Sequence, residues 1–289
     1  MLNAGTRNPV LLNARTRNPV LLNPVLFDRG LLNPVLFDRG LNSPTDAADK
    51  VGTHDRARPM TGIDWIGLDA DDTLWHSEGH FTDAQVMFCE LIAPYVTGDV
   101  DVANVLDHTE RANLRTFGYG VKAFTLSMVE SAIAVSDGTV PGAVIGQIVE
   151  RGKWMLDHPV ELLDGVNETV RDLAHDFRLA IITKGDLVHQ ERKLATSGLA
   201  GVVDVVEIVS EKDPDTYRRV LARHQIGVGG FVMVGNAVRS DVLPVLAIGG
   251  RAVHIPYEQT WGHEQAEHDG TVPTLSSIRE LPSWLDAQR

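Results

Sequence analysis

The run Ile63-Asp64-Trp65-Ile66-Gly67-Leu68 is mostly apolar and long enough for a buried strand, and it ends in Asp69-Ala70-Asp71-Asp72-Thr73-Leu74-Trp75. Three carboxylates within four residues at the end of an apolar run put charge where burial is expected, and that conflict marks a site. If Asp69 is the last strand residue, Asp71 lies two positions on, and both side chains can lean toward one space beyond the strand's carboxyl end. Ligands of open α/β sheets bind there. Two carboxylates so close repel unless a cation or a shared proton relieves them. The pair therefore points to a divalent metal or to a divided nucleophile and acid/base couple.

Three further stretches stand out, two of them apolar runs that end in polar residues in the same way and one a Lys that opens a helix. They are Leu179-Ala180-Ile181-Ile182-Thr183-Lys184-Gly185-Asp186, the shorter Glu211-Lys212-Asp213-Pro214-Asp215, and Phe231-Val232-Met233-Val234-Gly235-Asn236, which leads to Asp241. With Asp-x-Asp-x-Thr at residues 69–73, these four in order resemble the four motifs of the haloacid dehalogenase (HAD) superfamily, most of whose members are magnesium-dependent phosphatases. The likeness covers roughly residues 60–289.

From Gly165 onward the chain alternates between helical and strand patterns. Helices are expected at Val166–Phe177, Leu187–Ser197, Pro214–His224 and about Ser240–Ile248, with strands at Leu179–Thr183, Val202–Ile208, Gly230–Val234 and Arg251–Ile255. Near-continuous apolar strands separated by helices imply parallel pairing with both sheet faces covered, a doubly wound α/β core. Between Trp75 and Leu163, apolar residues recur at helical spacing, as in Phe81, Gln85, Phe88 and Ile92. Breaks at Pro94, Gly98, Gly118, Gly138 and Pro141 divide the stretch. This all-helical insert resembles the cap of one superfamily branch, which would close over the carboxylates and choose the substrate. The expected domains are a Rossmann-like core at 60–75 and 163–289 and a helical cap at 76–162.

Residues 2–41 repeat with a ten-residue period, Leu22–Gly30 recurring identically at Leu32–Gly40. Asn-Pro at this spacing argues for extended, poorly ordered chain rather than helix or central strand. Residues 1–59 are expected to be a disordered repeat tail and linker, a translated duplication upstream of a true start at Met60.

The whole chain carries a formal charge of −13, and the first 59 residues hold eight Lys/Arg against five Asp/Glu, so the remainder carries −16. A body this acidic with no long basic run is not expected to bind nucleic acid or an anionic membrane surface. No apolar run approaches the ~20 residues of a membrane helix. The lone Cys89 allows no intrachain disulfide, which suits a reducing cytoplasm. The eleven His form no zinc pattern.

The resemblance implies a role for each motif residue. Asp69 is the nucleophile that accepts the phosphoryl group, and Asp71 the acid/base that also lends its carbonyl to the metal. Thr183 contacts a phosphoryl oxygen, with the N–H groups of Lys184 and Gly185 opening a helix beside it. Lys212 neutralises phosphoryl charge, with Lys193 as its rival. Asp69, Asp71, Asn236 and Asp241 hold Mg²⁺, and Asn236 stands where an acidic residue is commoner. Asp72 is expected to face solvent, and Trp75, His76 and Glu78 to form a solvated loop. Arg111 and Arg115 are expected on an exposed face of the cap.

The expected activity is Mg²⁺-dependent hydrolysis of a small phosphorylated metabolite through an aspartyl phosphate. Its rivals are a haloacid dehalogenase, which has no need of Asp71, a phosphomutase, and a catalytically weak binding or regulatory relative.

Overall fold

The computed structural model describes residues 62–288 apart from 260, 265 and 267–269. The expectations for the repeat tail, the linker and Met60 lie outside the described residues. Five parallel strands form one sheet in the order β3-β2-β1-β4-β5, with β1 at Trp65–Leu68, β2 at Arg178–Lys184, β3 at Val205–Val209, β4 at Phe231–Gly235 and β5 at Arg251–His254. β1 is central, with Leu68 in register with Ile181 on one side and Val234 on the other.

Alternation along the strands sends side chains to two separate cores. Ile66, Leu68, Ile181, Val232 and Val234 pack with Val170 and Leu173 of α5 (Val166–Asp176) and Leu285 of α9 (Leu281–Asp286). Trp65, Ala180, Ile182, Phe231 and Met233 pack on the other face with Tyr217 and Leu221 of α7 (Pro214–Arg223). Gly67 is required between them, because a Cβ there would lie 2.5 Å from the Phe231 ring.

Helices α1 (Glu78–Ile92), α2 (Val102–Phe117), α3 (Val121–Val135) and α4 (Gly142–Asp157) follow β1. They bury Phe88, Ile92, Phe124, Met128 and Ile148 in a cluster of their own, distinct from both sheet cores. The chain leaves and re-enters the core at one point, where Trp75 bridges Leu162 antiparallel. Among the described residues no helix is long and apolar enough to cross a membrane.

Two elements differ from the sequence expectation by more than one residue at an end. β3 begins at Val205 rather than Val202, because Asp204 turns its side chain back to accept the Leu179 N–H at 2.9 Å. In place of one helix from Ser240 there is a wide π-helical turn, Val238–Val242, followed by α8 (Leu243–Ala247). The Asp241 carboxylate accepts the Ala237 N–H at 3.0 Å across that turn.

Candidate active site

The eight residues singled out in the sequence, Asp69, Asp71, Thr183, Lys184, Gly185, Lys212, Asn236 and Asp241, all line one cavity of ≈ 220 Å³ at the carboxyl ends of the strands. The switch in strand order about central β1 opens the crevice, and helices α1, α2 and α3 supply its far wall.

At the centre lies Lys212, whose side chain is 1% exposed. Its Nζ donates to Asp69 Oδ1 and to Asp241 Oδ1, the latter at 2.6 Å. It immediately precedes Asp213, whose side chain caps α7 by accepting the Thr216 N–H at 2.7 Å, so the cap fixes where the lysine leaves the backbone. Burial alone would depress the Lys212 ammonium, but the Asp241 and Asp69 charges outweigh it and raise its pKa. One ammonium cannot neutralise two carboxylates. Burial and the Asp241 charge, opposed by Lys212, leave the Asp69 carboxyl pushed up to about 7. Gly235 makes room for this arrangement, since a Cβ on it would stand 2.3 Å from Asp241 Oδ2.

Thr73 ties the first motif to the fourth. Its hydroxyl lies 3.1 Å from Asp69 Oδ2 and 3.3 Å from Asn236 Oδ1, and it accepts the Asn236 N–H at 3.1 Å. Asp71 is held differently. Oδ1 accepts from Trp75 Nε1 at 2.6 Å and Lys193 Nζ at 2.5 Å, and Oδ2 accepts from Gln190 Nε2 at 2.9 Å. Burial pushes the Asp71 carboxyl up, yet Lys193, Trp75 and Gln190 together outweigh it and hold it below the ordinary range. Lys193, the rival of Lys212 in the sequence, thus serves the other aspartate.

Several expectations are corrected. Asp72 is buried, with φ 61°, and its carboxylate accepts the N–H groups of Ser77 and Glu78 at the start of α1. Those otherwise unpaired helix-start donors explain why it turns inward. Trp75 is a core residue and a donor to Asp71 rather than part of a solvated loop, and Glu78 lines the cavity. His76 is exposed, its Nδ1 2.7 Å from Tyr257 Oη. Lys184 does not open a helix. It ends β2, its carbonyl accepts from Gln190 Nε2 at 2.7 Å, and Asp186 caps α6 (Leu187–Thr196) three residues ahead of His189. The Lys184 ammonium turns to Ser240 Oγ at 2.9 Å and Glu264 Oε1 at 2.5 Å. Arg111, by contrast, is exposed as expected, its guanidinium engaged with Asp107 at 2.8 Å.

Gln190 was missed in the sequence. Buried to 3% exposure, it also reaches Thr183 Oγ1 at 3.1 Å and so links the second motif to Asp71. The available signal was spacing, since Gln190 and Lys193 sit one turn apart on the helix that follows the second motif. Glu264 and Trp261 reach the cavity from the segment after β5, where no local pattern marks them.

Asp69, Asp241, the Asn236 amide and the Asp71 carbonyl offer only oxygen, and the carboxylates at Lys212 retain surplus negative charge, a combination that suits a hard divalent cation. Among the described residues no three His, Cys, Asp or Glu side chains form a metal group by themselves. The amide and the carbonyl are therefore needed to complete such a set.

The surplus charge has a consequence for stability. Burial first, then neighbouring carboxylates, push Asp69, Asp72 and Glu110 up to about 7 and Glu78 to about 8. Between the ordinary carboxyl range and these raised values the folded chain binds more protons at these groups than the unfolded chain, so their contribution to stability falls as pH rises from about 5 to 8 and levels off above. Melting without divalent metal across that range is expected to show a decline. A rising melting temperature would refute the assignment.

A parallel doubly wound sheet with a buried aspartate at the end of its central strand, a buried lysine across from it and a helical insert after that strand defines a hydrolase of the HAD type. The family model of haloacid dehalogenase-like hydrolases matches residues 63–249, and the chain belongs to that family. A haloacid dehalogenase-like hydrolase from Xanthomonas campestris is 41% identical, with TM-score 0.69, over 78% of this chain and 92% of that one. A 2-haloacid dehalogenase from Pseudomonas syringae pv. Tomato DC3000 is 21% identical, with TM-score 0.55, over 78% and 100%. The Bacillus subtilis HAD-hydrolase YfnB, bound to magnesium, is 14% identical, with TM-score 0.55, over 78% and 99%. The last two share the fold alone. No curated protein matches the chain.

Proposed function

We propose that this hydrolase cleaves small phosphate monoesters in a Mg²⁺-dependent reaction through an aspartyl phosphate on Asp69. The observation that carries the choice is Asp71. It lines the same cavity as Asp69 and is fixed by three donors, from Trp75, Gln190 and Lys193. Halide displacement by Asp69 gives that carboxylate no task, whereas phosphoryl transfer requires a proton donor for the leaving oxygen and a base for water.

Asp69, Asn236, Asp241 and the Asp71 carbonyl would hold the ion, which when bound supplies positive charge against the phosphoryl oxygens. Asp69 forms the new P–O bond as the ester P–O bond breaks, and the leaving alkoxide takes its proton from Asp71. Water then attacks phosphorus, gives its proton to Asp71 and releases inorganic phosphate with Asp69 restored. Thr183 donates to a phosphoryl oxygen, and Lys212 offsets charge on both nucleophile and phosphoryl group. In the arrangement described above Asp71 is held as the carboxylate, the form that accepts the water proton. To deliver a proton to the alkoxide Asp71 would first have to part from Lys193, which would raise its hold on that proton.

Phosphate release from p-nitrophenyl phosphate is expected with Mg²⁺ and not with chelator, and Asp71→Asn is expected to slow it by about 10²- to 10⁴-fold. Halide release from 2-chloropropionate, with no phosphate release from the ester, would sink the proposal.

A further inference from the structure

The cavity has two chemically unlike ends. At the strand ends Lys193 and Lys212 each sit on a carboxylate. At the far wall, α1 and α2 present Glu78 and Glu110. Among the described residues neither of these carboxylates has a hydrogen-bond or ion-pair partner: the Arg111 charge lowers Glu110 from a distance, but the guanidinium itself is bound to Asp107 at 2.8 Å. The Glu110 charge contributes to raising Glu78, so the two act on each other in a partly desolvated space. In all, nine carboxylates and three lysines line the cavity, and each lysine is already bound to a carboxylate. Gln190 lines it too, and its buried Oε1 has no donor among the described residues. Around Glu78 the wall is aromatic, with the Phe81 and Phe124 rings packed edge to face at 5.2 Å.

Carboxylates withdrawn from water without a directly paired cation are costly, and a cation brought by the ligand relieves that cost where the chain's own cations are engaged elsewhere. An anionic group in the same place would add repulsion in a site already rich in negative charge. We infer that the substrate is a phosphate monoester whose alcohol part carries an ammonium group, which lies between Glu78 and Glu110 while the phosphoryl group faces Asp69, Thr183 and Lys212. The inference rests on the phosphatase reading above and names its substrate class. The small cavity and its aromatic side favour a short ammonium-bearing chain, whose methylenes meet Phe81 while the charge meets the glutamates.

The test compares three esters of equal reach on the full chain with Mg²⁺: 2-aminoethyl phosphate, ethyl phosphate and carboxymethyl phosphate. The expected order of kcat/KM is aminoethyl, then ethyl, then carboxymethyl, with about tenfold or more between first and last. Glu78→Gln combined with Glu110→Gln is expected to shrink the aminoethyl-to-carboxymethyl ratio by about tenfold, mainly through KM. Because the amides keep shape and remove two unpaired charges, the variant is expected to melt no lower than the parent at pH 8. Hydrolysis of all three esters with equal efficiency, or an unchanged ratio in the variant, overturns the ammonium assignment and leaves the phosphatase reading standing. Hydrolysis of none of them overturns that reading, and this inference falls with it.

Discussion

Asp69→Asn is expected to lower phosphate-ester turnover by on the order of 10⁴-fold or more, because the amide has nearly the same shape and no nucleophilic oxygen anion. The fold is expected to survive. Asp69 is one of two buried carboxylates that share a single ammonium, and replacing it leaves Lys212 paired one-to-one with Asp241. Removing the surplus charge should hold the melting temperature level or raise it, by about 2–4 °C per kcal/mol in a domain of this size. Far-ultraviolet circular dichroism, thermal melting and single-turnover kinetics on one preparation separate the two effects. An Asp69→Asn protein that melts normally and retains turnover within tenfold of the parent would remove Asp69 from the chemistry.

Lys212→Met has the opposite profile. It strands Asp69 and Asp241, with side chains 9% and 1% exposed, facing each other with no cation between them. Breaking a buried ion pair from one side typically costs about 3–5 kcal/mol, and one carboxyl has to take up a proton to limit the loss. Adding Asp241→Asn removes that repulsion, so the double variant is expected to be more stable than Lys212→Met alone. In a denaturant cycle the two changes should fail to add by about 1–3 kcal/mol. Additive losses, or a Lys212→Met protein within about 1 kcal/mol of the parent, would show that the lysine is not the shared counter-ion.

The sheet and the strand-end residues were legible in the sequence because burial and charge collide there in a fixed order. An apolar strand that stops at Asp69, at Thr183 or before Asn236 can be recognised without knowing its neighbours in space. The helices of the insert were legible for a related reason, since Phe88 and Ile92 recur on one face. The pairing of charges was not legible. Whether Lys193 or Lys212 meets Asp69 depends on how α6 and the start of α7 lie over the sheet, and spacing along the chain carries no such information. Asp72 was misjudged because an acid beside two functional acids looks redundant, whereas the open N–H groups of the following helix draw it inward. Glu264 arrives from beyond β5 and is joined to Lys184 only by the folded chain.

The single crossing at Trp75 and Leu162 bears on how such a protein can diversify. His76 N–H donates to Glu161 O at 3.0 Å, and Leu163 N–H donates to Leu74 O at 3.0 Å, so both ends of the helical insert are stitched together where it leaves the sheet. A segment whose two ends already touch can lengthen, shorten or be exchanged without changing the register of β1 against β2 and β4. Glu78 and Glu110 lie inside that segment, while Asp69, Lys212 and Asp241 lie outside it. The two parts can therefore change independently: an exchange of the segment at the stitch would recast what the pocket admits in one event and leave the atoms that make and break bonds where they are.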